Sequence, residues 1–158
     1  MTAAPPLFHR EIGRRIMRKY MGTIVMLILW IGATIGAKVW FSIHQELSEL
    51  NLILSIGYML FLLAMIPIGL PLHSRALEVL LMLYALGLGV LDVATFLRTD
   101  HILVNLLGSL LLAPFHGLFY FERYIGLGSF AIYAIIGCFA AFLVLAAGVG
   151  ACMVQERE

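Results

Sequence analysis

The sequence predicts an all-α protein: a polytopic membrane helix bundle of five transmembrane helices, with four as the alternative count. An N-terminal interfacial amphipathic helix is expected to precede it. Three observations predict this class. The chain is 63% hydrophobic and only 12% charged, about half the charged fraction of a soluble domain. Apolar runs long enough to cross a hydrocarbon layer of ~30 Å recur along most of its length. Lipid offers the backbone no hydrogen bonds, so such runs must bond internally and cross as helices.

The elements follow in order. Residues 7–20, "LFHREIGRRIMRKY", set Ile12, Ile16 and Tyr20 four apart and crowd Arg10, Arg14, Arg15, Arg18 and Lys19 into the remaining positions. An apolar stripe under a basic face is the pattern of a helix lying in the headgroup layer. An apolar span follows at once, so the expected partner of these cations is the lipid bilayer and not nucleic acid. The span, at about 21–41, is too long for the apolar region of a signal peptide and is expected to be retained. Residues 1–20 are therefore read as a cytoplasmic surface helix, 21–154 as the bundle and 155–158 as a short tail.

After the first span, "SIHQELSEL" (42–50) forms an acidic loop. A second span, about 51–72, contains Pro67 and Pro71, which should kink or end it. The third runs from about 77 to 97, and "ILVNLLGSLLLAPFHGLFYF" (102–121) is long enough for ~30 Å of helix. The last span covers about 126–154. In the four-span alternative, residues 102–121 are a re-entrant or interfacial segment broken at Pro114. With five spans and the N-terminus inside, Arg10, Arg14, Arg15, Arg18, Lys19, Arg75 and Arg123 are inside, against Arg98 and Arg157 outside. That positive-inside bias points to a bacterial inner membrane with a cytoplasmic N-terminus.

Depth along the spans singles out a polar layer. Lys38, Ser55, Asp92 and Asn105 come from four different spans yet share the outer part of the membrane. Buried charge is costly there and usually paired, so a Lys38–Asp92 contact is expected, completed by Asn105 and Ser55. The competing reading lets Lys38 snorkel to the surface. Glu78 is read as an ordinary residue of the membrane edge. Gly32 and Gly36 form a GxxxG on the first span, a face that lets helices approach closely.

Histidines raise a cofactor question. His44 and His101 fall at the outer face, His73 and His116 toward the inner one. Two such layers would suit a pair of b-type haems, but three of the four lie in turns, so no cofactor is predicted. In "APFHGLFYFERYIG" (113–126) the aromatics are read as an interfacial anchor, with His116 replaceable. Cys138 and Cys152 are ~21 Å apart on one helix, too far for a disulfide. No catalytic motif is present.

Three functions are ranked on this basis. The first is an accessory or scaffolding subunit of a larger membrane complex in transport or electron transfer, with other membrane subunits as partners. The second is a small ion- or proton-coupled transporter working as a homo-oligomer around Asp92. A haem-binding redox module ranks below both.

Overall fold

The computed structural model describes residues 6–44, 46–69, 74–98 and 101–155, and the side chains of all of these except 6–16, 18, 19 and 155. Every regular element among them is a helix. They are α1 (Pro6–Ile43), α2 (Glu49–Gly69), α3 (Arg75–Phe96), α4 (Ile102–Leu111), a 3-10 segment (Ala113–Phe119), α5 (Tyr120–Tyr124) and α6 (Ser129–Gln155). Four stretches are long and apolar enough to cross a membrane: Tyr20–Ile43, Glu49–Gly69, Arg75–Phe96 and Ser129–Val154.

Helix α1 runs unbroken through residue 20, where the sequence suggests a boundary between surface helix and span. Gly22 alone costs a helix about 1 kcal/mol, and no proline stands nearby to end it. The segment with Arg10, Arg14, Arg15, Arg18 and Lys19 thus continues the first span, its basic side chains lying outside the described ones. Helix α2 passes through Pro67 and ends at Gly69; Pro71 lies outside the described residues. Ser74 then caps α3, its hydroxyl accepting from the Leu77 amide.

Helices α3 and α6 form an antiparallel seam with small residues at the contacts. A methyl group on Gly89 would lie 3.7 Å from Ala140, and one on Gly148 would lie 3.9 Å from the Met82 sulfur. Glu78 meets Gly150 at one end of the seam, and Asp92 meets Gly137 at the other. Along the seam Leu77, Leu81, Leu88, Ile132, Ile136 and Leu143 are fully buried. Lipid tails are as apolar as leucine, so this core is held by close packing rather than by escape from water. The isoleucines and valines left outward on α1, such as Ile24, Ile28, Ile31 and Ile35, suit contact with acyl chains.

The fifth candidate span is bent. Helix α4 and the 113–124 stretch meet at 76°, and contacts at both ends show where the pair goes. It enters beside the end of α3, with Gly108 next to Thr95, and reaches mid-bundle where Leu111 approaches Gly87. It then turns back. The Gly117 amide donates to Ser55 Oγ at 2.9 Å, and the Tyr120 hydroxyl to Glu49 at 3.3 Å, both on the opening turns of α2. Helix α6 starts at this same end, with Phe130 and Tyr133 against Phe96. Residues 102–124 therefore enter and leave at the Asp92 end of the bundle, as a re-entrant segment does, which is the four-span arrangement.

This geometry corrects the anchor reading of "APFHGLFYFERYIG". The stretch returns to the Asp92 end instead of reaching the Glu78 end, and Phe115 and Leu118 are buried in the core. Pro114 opens the 3-10 segment. It lacks a backbone donor, and its ring clashes with the carbonyl four residues back, so α4 cannot continue.

Candidate functional site: a cavity within the re-entrant segment

A cavity of about 350 Å³ lies in the angle of the re-entrant segment. Lys38 and Ser42 come from α1, Thr95 from α3, Asn105 and Ser109 from α4, His116 from the 3-10 segment and Tyr133 from α6. Phe41, Val104, Leu112, Phe119 and Ile136 supply the apolar walls. Such a volume suits a small ligand.

Local structure explains each position. The Asn51 side chain is buried and staples the end of α1 to α2. Its oxygen accepts from the Trp40 indole at 2.8 Å, and its amide donates to the carbonyls of His44 and Glu46. This holds Lys38, less than one turn from Trp40, at the cavity wall. Lys38 makes no ion pair with a described carboxylate, and it lines the cavity. On α4, His101 caps the helix start through its Nδ1, accepting from the Leu103 amide. Asn105, one turn on, comes to the wall with Ser109 beyond it.

His116 sits half-buried between Phe41 and Phe119, with ring centroids 5.7 and 6.2 Å away. Its Nδ1 is buried without a hydrogen-bond partner. The 3-10 run that carries it is seven residues long, where three or four is common, and such stretches often mark function or strain. A buried ring nitrogen with nothing to bond is uncommon and marks this position as one that needs an explanation.

The predicted polar layer is only partly assembled. Lys38 and Asn105 share the cavity. Ser55 instead binds the Gly117 amide and holds the re-entrant segment. Asp92 is 3% exposed and its Oδ1 has no partner. No salt bridge joins it to Lys38: its carboxylate lies against Gly137 of α6, close enough to the Tyr133 hydroxyl to interact electrostatically. Sequence depth placed the two charges in one layer but said nothing about rotation around their helices.

The remaining sequence candidates are scattered. His44 is exposed and stacks on Trp40, their centroids 4.0 Å apart; His101 is the α4 cap, and His73 lies outside the described residues. Among the described residues no three His, Cys, Asp or Glu side chains converge as a metal site would require. Gly32 and Gly36 have open space above them. Gly36 borders a second cavity of about 650 Å³ between α1 and α2, lined by Ala33, Ala37, Trp40, Leu54, Gly57 and Tyr58 among others.

The chain matches no protein-family model, no curated protein and no solved structure.

Two features escaped the sequence. The roles of Thr95, Ser109 and Tyr133 in the cavity depend on the bend after α4, which no local pattern reports. Glu78 is fully buried although it stands in the first turn of α3. A signal existed: Glu78 and Asp92 are fourteen residues apart, close to four helical turns, so both share the α3 face that meets the glycines of α6.

Proposed function

We propose that this protein binds a small anionic solute in the re-entrant cavity and moves it across the membrane, a transporter or channel of small size. The observation that carries this reading is the cavity wall itself. It brings together Lys38, donors from Asn105, Thr95 and Tyr133, and His116, with no carboxylate among its lining residues. Irregular backbone at membrane depth is tolerated where it is buried in protein or lines a cavity, and broken helices meet solutes at such places in transporters. Asp92 does not line the cavity.

The experiment is anion flux in liposomes reconstituted with the full chain, read with an anion-sensitive dye for chloride, nitrate, formate and phosphate. At least one should move, and Lys38→Gln should reduce its rate ~10-fold or more, the effect of losing one charge-assisted contact. Failure of all four to move, or to raise the melting temperature, would sink the reading.

The α1–α2 groove supports a second reading, the accessory subunit. Its small lining residues Gly36, Ala37 and Gly57 would let another transmembrane helix approach closely. Gentle extraction followed by mass spectrometry should recover stoichiometric partners, and recovery as monomer alone would argue against it. For location we propose a bacterial inner membrane with the N-terminus cytoplasmic. With four spans the inner segments carry Arg10, Arg14, Arg15, Arg18, Lys19, Arg75 and Arg157 against Arg98 and Arg123 outside, the bias expected of such proteins.

A further inference from the structure

Glu78 is the only charged residue among the described ones that is completely buried, and neither carboxyl oxygen has a hydrogen-bond partner. It is wedged where the end of α2 meets α6. Gly69 is in such close contact that any Cβ there would overlap Oε1, and a Cβ on Gly150 would lie 3.0 Å from Oε2. Two glycines on two helices leave room for this one carboxyl. No described lysine, arginine or histidine pairs with it; Arg75, on the same turn of α3, is exposed.

An ionised carboxylate in such a place lacks water, a counter-charge and donors, and its desolvation is expensive. The start of α3 is only a weak substitute. A helix dipole favours an anion by a fraction of that penalty, and the nearby amides are engaged, Leu77 N with Ser74 Oγ and Glu78 N with Ser74 O. A neutral acid meets none of these objections.

We propose that Glu78 is a proton-binding site at the end of the bundle opposite the cavity, holding its proton while α2 and α6 are closed over it and exchanging it when they part. The site does not depend on the anion reading: it lies on the other half of the α3–α6 seam, fourteen residues from Asp92. Ionisation would require water at the carboxyl, and among the described residues Gly69 and Gly150 close on its two oxygens. Proton exchange is thereby tied to movement at this end.

Infrared difference spectroscopy tests this on the purified full chain in lipid. The spectrum of the wild type minus Glu78→Gln should contain the carbonyl band of a protonated carboxyl, and the band should shift when the medium is changed to D2O. Absence of the band would show an ionised Glu78 and overturn the proposal. A band that never shifts in D2O would make the residue a sealed structural acid, which also overturns it.

If the glutamine variant does not accumulate, mapping of wild-type membranes treated with a lipid-soluble carbodiimide decides instead. The proton of a neutral acid passes to a carbodiimide nitrogen as the carboxyl oxygen adds to the central carbon. Oxygen-to-nitrogen acyl transfer then leaves a stable N-acylurea, with no oxidant or reductant involved. Glu78 should be modified by this reagent and spared by a water-soluble one. No adduct on Glu78, or equal reaction with both reagents, overturns the proposal.

Discussion

A methyl group on Gly117 would overlap the carbonyl oxygen of Asn51 and crowd Ser55 Oγ, so the 3-10 segment lies directly on the backbone of α2. Gly117→Ala must push the two apart. The expected loss is about 1–3 kcal/mol, the usual cost of overpacking a tight contact, and a melting curve in detergent would read it. Ser55→Ala leaves the same spacing but orphans the buried Gly117 amide, which typically costs about 1–3 kcal/mol. Both variants should also weaken solute binding, because the Gly117 backbone carries His116. A Ser55→Ala protein as stable as the wild type would mean that the Gly117 amide finds water in its place.

Among the elements, the re-entrant segment is the one whose course can be checked most directly. With Cys138 and Cys152, both exposed, first replaced by alanine, single cysteines at Leu47 and Leu127 should react from the same side of the membrane. A C-terminal reporter should lie on the other side, together with the N-terminus. Opposite labelling of Leu47 and Leu127 would turn residues 102–124 into a true span. The bend itself has two causes acting together: Pro114 ends α4, and the bonds from Gly117 to Ser55 and from Tyr120 to Glu49 draw the chain back.

For the whole molecule, the two cavities share Phe41 as a wall but are otherwise lined by different residues, and they should fail separately. Filling the apolar groove with Gly57→Leu should abolish any stoichiometric partner while anion flux persists. Replacing Lys38 with Gln should do the reverse. Gly57 has nothing within 4 Å of its would-be side chain, so the leucine is accommodated and the monomer should melt within about 0.5 kcal/mol of wild type, as surface changes do. Loss of flux in Gly57→Leu would mean that the groove and the re-entrant cavity belong to one device.

The sequence by itself determined the class, four of the spans and their order, because hydrophobic length and the lack of backbone partners in lipid are local properties. It also marked Lys38, Asn105 and Asp92 as residues needing an explanation, since depth follows from counting along a span. Rotation about each helix axis was decided only in the tertiary structure. Side-chain packing of α3 on α6 turned Glu78 and Asp92 toward glycines, and the staple at Asn51 set Lys38 against α4. The direction of residues 102–124 was likewise invisible locally. Their length of apolar chain fits a span, and what folds them back is a pair of hydrogen bonds to α2, more than sixty residues away in sequence. Such long-range bonds leave no period in the sequence. The cavity exists because of them.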